Sequence, residues 1–184
     1  MATVFGDFDM TGFWENSDHA LETYVGRPID SDTVQAVEQQ LGYKLPASFL
    51  EFMRIQNGGI PLRKNHRTSE RTSWAPDHIA ITGLYSIGSE KPNSLCGEFD
   101  TQFWIDEWGY PPIGVYFADC PSAGHDMICL DYSHCGPTGE PRVVHVDQEW
   151  DYKTVVVAEN FEAFIRGLTD DSAFRSEHCA RWGC

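Results

Sequence analysis

The sequence predicts an α+β domain in which helices pack on one largely antiparallel sheet. Three observations predict it. Apolar residues recur at helical spacing in successive segments up to Asn57. Short β-branched and aromatic runs separated by Gly- and Pro-bearing turns follow from His78, and another helical pattern begins after Asn160. With 184 residues, 41% of them apolar and 13% aromatic, the chain can bury one sizeable core and lies far from the composition of disordered sequences. No internal repeat and no Gly/Ser-rich linker divides it, so a single domain over residues 1–184 is expected.

Taken in order, Thr11 to Tyr24 places Phe13, Trp14, Leu21 and Tyr24 at roughly helical spacing, with Ser17 or Asp18 able to cap a turn. Pro28 to Gly42 offers Asp30 and Ser31 as caps, then Val34, Val37 and Leu41 on one stripe, and ends at Gly42, which suits a left-handed terminus. A third helix starts at Pro46, carries Phe49, Phe52 and Met53 on one face, and stops at Asn57-Gly58-Gly59. From Ile60 to Pro76 there is no apolar period, and Arg63, Lys64, Arg67 and Arg71 face a single Glu70, which predicts a long exposed loop.

His78 to Ser86 reads as a strand with a possible bulge at Gly83, and Phe99 to Trp108 as a short aromatic helix closed by Pro111 and Pro112. Ile113–Ala118 and Asp126–Tyr132 form a predicted hairpin around a turn containing Pro121, Ser122 and Gly124. Arg142–Val146 and Tyr152–Val157 extend the antiparallel run. Asn160 caps a last helix with Phe161, Phe164, Ile165 and Leu168 on its stripe, and residues 169–184 read as a loose tail.

The charge is lopsided. Thirteen Lys and Arg stand against 28 Asp and Glu, a formal net charge of −15, which opposes direct binding to nucleic acid or to an anionic membrane and favours a cationic partner. The sequence contains no apolar run long enough to span a bilayer, and MATVFGDFDM lacks a secretory leader's pattern, so a cytoplasmic location is expected. Six irregularly spaced cysteines then read as thiols, with Cys129 a small buried hydrophobe.

The common nucleotide, phosphate, esterase and zinc-protease motifs are missing. The densest set of reactive groups lies between Asp119 and His145: Asp119, Cys120, His125, Asp126, Cys129, Asp131, His134, Cys135 and His145. Strand alternation sends Asp126 and Cys129 to opposite faces, so these groups do not all converge. The expected roles are structural, with His125 and Asp126 bonding turn amides and Asp131 shaping the turn at Ser133. A Cys-His nucleophile pair from Cys120 or Cys135 with His125 or His134 is conceivable, as is a second metal pattern at His178, Cys179 and Cys184. Neither has a preorganising spacing. No catalytic residue, cofactor or metal is therefore assigned.

Pro92 to Pro141 contains no Lys or Arg but eight acidic residues, and Asp147, Glu149 and Asp151 follow. Glu98, Asp100, Trp104, Asp106, Glu107, Trp108 and Asp119 are the expected partner-binding residues, because aromatic anchors ringed by carboxylates supply both hot spots and fast encounter with a basic protein. The competing reading is a solubilising acidic face with its tryptophans in the core.

Leu45-Pro46-Ala47-Ser48-Phe49-Leu50 leading to Gln56-Asn57-Gly58-Gly59 resembles the SMI1/KNR4 family of the SUKH superfamily. Gly124 to Tyr132, Gly139 to Asp147 and the closing helix are similar to it in the same order, covering about residues 28–168. The resemblance implies a SUKH-like single domain without a family-wide catalytic set. For many bacterial members it implies an immunity protein that neutralises a cognate polymorphic toxin, commonly a nuclease. Fungal relatives act as regulatory scaffolds. The expected function is therefore stoichiometric inhibition of a basic toxin, with a scaffold module as the alternative and a metal-dependent enzyme using the Asp119–His145 stretch as the third reading.

Overall fold

A computed structural model describes residues 3–174. Helix α1 (Asp18–Thr23) begins at Ser17, whose hydroxyl accepts from the Ala20 amide at 3.2 Å. It is shorter than its periodicity predicts. The Phe13 carbonyl accepts from Leu62 N and the Glu15 amide donates to Ile60 O, both at 2.8 Å, so the backbone before Ser17 is already paired and cannot join the helix. Phe13 still reaches the core, whereas Leu21 is exposed.

Helix α2 (Ser31–Leu41) has the expected ends: Asp30 Oδ1 accepts from Thr33 N at 2.8 Å, and Gly42 adopts φ +76°. Helix α3 (Ala47–Ile55) buries Phe49, Phe52 and Met53. Asn57-Gly58-Gly59 does more than end it. The buried Asn57 amide donates to Arg27 O and Ile87 O and accepts from Ile87 N at 2.7–2.9 Å, joining two distant segments. Gly58 lies at φ +81°, and a Cβ there would stand 2.6 Å from Tyr24 O, so both its conformation and its neighbour demand glycine.

The region from Ile60 to Pro76 is not the exposed loop its composition predicts. Strand β1 (Asn65–Arg67) pairs antiparallel with β2 (His78–Ala80), and Asn65, His66, Thr68 and Thr72 are buried. The burial is achieved by stacking and hydrogen bonding, which leave no apolar period to detect: the His66 ring lies 5.5 Å from that of Phe164 with 12° between their planes. The cations find local partners, among them Glu15 for Lys64 and Asp77 for Arg67. The strand expected over His78–Ser86 splits, because β3 (Gly83–Leu84) leaves the small sheet for the edge of the large one.

That large sheet has the order β3-β4-β5-β6-β7, antiparallel throughout, with β4 at Gly114–Asp119, β5 at Asp126–Asp131, β6 at Arg142–Asp147 and β7 at Lys153–Ala158. Helix α4 (Thr101–Trp108) packs on β4, and α5 (Phe161–Arg166), capped by Asn160 as expected, packs on β6, β7 and α3. A register shift at Phe117 lets that ring meet Phe49, Phe161 and Phe164 while the neighbouring Tyr116 meets Tyr110.

Residues 169–174 are docked rather than loose. Thr169 exchanges backbone hydrogen bonds with Asn65, and the buried Phe174 ring stacks on His78 at 4.1 Å. Residues 175–184, including the His178, Cys179 and Cys184 pattern, lie outside the described residues. Among the described residues no helix is long and apolar enough to cross a membrane.

Candidate functional site

Helix α4 positions most of the residues expected to bind a partner, and its amphipathic spacing divides them. Asp100 is its N-cap, accepting from Phe103 N at 2.8 Å, and Gly109 closes it at φ +73°. Thr101 and Trp104 face inward, so Trp104 is a core residue and not an exposed anchor. Its indole N–H donates to Phe99 O at 2.9 Å. The turn before β5 crosses directly over this indole, and a Cβ on Gly124 would lie 2.9 Å from it. Glu98, Asp106 and Glu107 are exposed, and Gln102 donates to Asp106 across one turn.

Asp119 also departs from the expected surface role. Tyr24 O–H donates to its Oδ2 at 2.8 Å and Gly83 N to its Oδ1 at 3.2 Å, which ties α1 and β3 to the end of β4. Burial pushes its carboxyl up to about 6, although the hydrogen bonds from Tyr24 and Gly83 oppose the shift. The folded value lies above the unfolded one of about 3.9, so the folded state is favoured by protonation. The Asp119 contribution is therefore expected to be fully present below about pH 4 and to fade as pH rises through 6. Denaturant midpoints for wild type and Asp119→Asn between pH 4 and 7 check this: the wild type should lose stability relative to the variant as pH rises, and parallel curves would refute it.

Half-buried Trp108 connects α4 to a second exposed segment. Its ring meets His125 edge-on at 5.9 Å, His125 Nδ1 lies 2.6 Å from Glu149 Oε1, and Tyr152 O–H donates to Trp108 O. Glu149 sits in the 3₁₀ turn Gln148–Trp150, which Asp151 and Tyr152 close at positive φ. The surface thus runs from Asp106 and Glu107 through Trp108 and His125 to Glu149, Trp150 and Asp151. Trp150 is 38% exposed, under the cations of Arg71 and Lys153 at 5.9 and 5.4 Å. Trp74, 43% exposed, lines a shallow cleft with Trp150. Trp74 went unmarked in the sequence because its segment has no apolar period.

The other inward carboxylates complete separate tasks. Asp131 accepts from Ser133 N at 2.9 Å, as its turn predicts, and pairs with Arg142. Asp147 accepts from Ser73 N and Oγ at 2.8 and 2.9 Å. Asp126, expected to bond turn amides, instead lies 2.6 Å from His145 Nε2 inside the sheet, beside Cys120. His125 likewise faces Glu149 through its ring instead of bonding turn amides. Cys120, Asp126 and His145 are the only three of the expected reactive set that converge as a His/Cys/Asp/Glu group among the described residues, and they could hold a metal ion. Neither proposed nucleophile has an activated thiol. Burial and the carboxylates of Asp126 and Asp119 push Cys120 well up, and burial and Asp131 push exposed Cys135 up, whereas a reactive cysteine needs the opposite shift.

Helices on an antiparallel five-stranded sheet, with a small second sheet at the side, define an α+β protein of a recognisable kind. The chain belongs to the SMI1 / KNR4 family (SUKH-1), whose profile matches residues 28–167. No curated protein matches it.

Proposed function

We propose that this protein is a bacterial immunity protein that neutralises a cognate toxin by stoichiometric binding in the cytoplasm and transforms no substrate. Membership of the SMI1 / KNR4 family (SUKH-1) is consistent with that role. The observation that carries it further is the run of exposed carboxylates on α4 and the 3₁₀ turn, Asp106, Glu107, Glu149 and Asp151, with half-buried Trp108 and exposed Trp150, the latter also beneath Arg71 and Lys153. Carboxylates on this surface accelerate encounter with a basic toxin, a nuclease domain being one such partner, and the indole supplies an anchor that loses water on docking. Of the eight acidic residues in the cation-free stretch, Asp100, Asp119, Asp126 and Asp131 serve the fold and Glu140 lies exposed in the loop before β6, so recognition is assigned to Glu98, Asp106 and Glu107 together with the turn.

The test begins with recovery of the bound partner from native cells and co-expression of that partner with this chain. Co-expression is expected to abolish the partner's toxicity. The double variant Asp106→Lys/Glu107→Lys should associate about tenfold more slowly at low salt and show a flatter salt dependence, with its melting temperature unchanged. Trp150→Ala should instead raise the dissociation rate about 30-fold, the effect of a 2 kcal/mol hot spot. Unchanged kinetics in both variants would remove this surface, and persistent toxicity on co-expression would remove the immunity role.

A further inference from the structure

We propose that Cys120, Asp126 and His145 form a binding site for a divalent metal ion of the zinc class. Cys120 follows β4, Asp126 opens β5 and His145 lies within β6, and the antiparallel register brings their ligand atoms within 4.8 Å of one another. All three residues are at most 3% exposed. A thiolate, an imidazole nitrogen and a carboxylate oxygen are together a donor set for a borderline-soft ion.

Two observations point to a ligand, beyond the proximity itself. Asp126 Oδ1 and His145 Nδ1 are buried polar atoms without a hydrogen-bond partner, although the other carboxylate oxygen and the other ring nitrogen face each other at 2.6 Å. An unmade hydrogen bond at such a depth is costly, and a cation bound by the free Asp126 oxygen would remove that part of the deficit. The local charge is the second. Asp126 stands directly opposite Asp147 in the β5–β6 register, both buried, and neither forms an ion pair with Lys or Arg among the described residues. Asp147 is held by the neutral donors of Ser73, and Lys153, its register neighbour on β7, reaches Glu70 at 3.1 Å instead. A dication held by Cys120, Asp126 and His145 would place positive charge beside both carboxylates.

On binding, the Cys120 thiol would release its proton to solvent and ligate as thiolate. Of the three, Asp126 also borders the cleft between Trp74 and Trp150, so the site lies beneath that cleft's floor. Three protein ligands leave a tetrahedral ion one further position, for water or a donor from a bound partner.

The experiment loads the reduced, chelator-treated full chain with Co²⁺, both as the folded protein and during refolding, and follows thiolate-to-cobalt charge-transfer absorption. One Co²⁺ per chain is expected, displaced by Zn²⁺, with Zn²⁺ also raising the melting temperature. The variant Cys96→Ser/Cys135→Ser/Cys179→Ser/Cys184→Ser should keep the band, because Cys120 remains and Cys129, the other thiol left, lies on the opposite face of the sheet from Asp126 and His145. Cys120→Ser should lose it, and His145→Gln should weaken Co²⁺ binding at least about tenfold. Absence of the band by both loading routes, its loss from the quadruple variant, its survival in Cys120→Ser, or unaltered affinity in His145→Gln would each overturn the site. If Cys120→Ser does not fold, loss of the band from the quadruple variant still overturns the site, and its retention there together with weakened Co²⁺ binding in His145→Gln supports it.

Discussion

Phe161→Ala is expected to lower the free energy of unfolding by about 3–5 kcal/mol, a large share of the roughly 5–15 kcal/mol that holds a domain together. Phe161 is the first residue of α5, fully buried, and its ring centroid lies 4.8 Å from Phe49, 5.8 Å from Phe52, 5.7 Å from Phe117 and 6.5 Å from Phe5. It is therefore the point at which α5, α3, β4 and the N-terminal segment meet. Truncation removes the transfer energy of a whole ring and leaves a void that four rings on three different elements cannot all move to fill. Urea unfolding measures it, with the neighbouring Glu162→Ala as a surface control expected to stay within about 1 kcal/mol of wild type. At roughly 2–4 °C per kcal/mol the melting temperature should fall by about 10 °C. A loss below about 1 kcal/mol would show that the aromatic cluster repacks and is not the keystone of the core.

Arg142→Ala is expected to cost about 3 kcal/mol at neutral pH and progressively less in acid. Arg142 Nε and Nη2 both lie 2.8 Å from Asp131 Oδ2, and the Asp131 side chain is buried at the β5 end. Removing the guanidinium strands a carboxylate in the sheet, the expensive way to break a buried pair, and the figure stands at the low end of that range because Arg142 itself is 34% exposed. Burial raises the Asp131 carboxyl, but hydrogen bonds from Ser133 and Arg142 outweigh it and hold the carboxyl below its ordinary value. The stabilisation is then present above the unfolded value of about 3.9 and is lost as pH falls through the lower folded value. In the variant the burial effect is left with only Ser133 to oppose it, so the gap between the two proteins should narrow from pH 7 towards pH 3. A gap independent of pH would mean that Arg142 acts through packing of its alkyl chain alone.

Several elements were legible because their information is local. Asp30, Asn160 and Gly42 mark helix ends through hydrogen bonds and backbone freedom within a single turn, and each does so in the structure. The β4–β5 hairpin and the two strands after it emerge within one or two residues of their alternation patterns. The candidate surface was legible only in part. Asp106 and Glu107 are exposed as expected, but Phe103, Trp104, Ile105 and Trp108 give α4 apolar groups on several sides, and its docking on β4 decides which indole is buried. Asp119 carries no local sign of its task, since its partner Tyr24 lies 95 residues away. Neither does β1, which is short and polar, whereas β2 lies within the strand predicted over His78–Ser86.

What the sequence by itself determined is the class of fold, the family and the excess of negative charge, because periodicity, caps, turns and composition are properties of neighbouring residues. Only the tertiary structure decided which carboxylates face solvent and which complete the core, that Trp74 and Trp150 share a cleft, and that Cys120, Asp126 and His145 meet. The physical reason is that burial, and with it the strength of every charge and hydrogen bond, is set by strand register and helix docking between residues far apart in the chain.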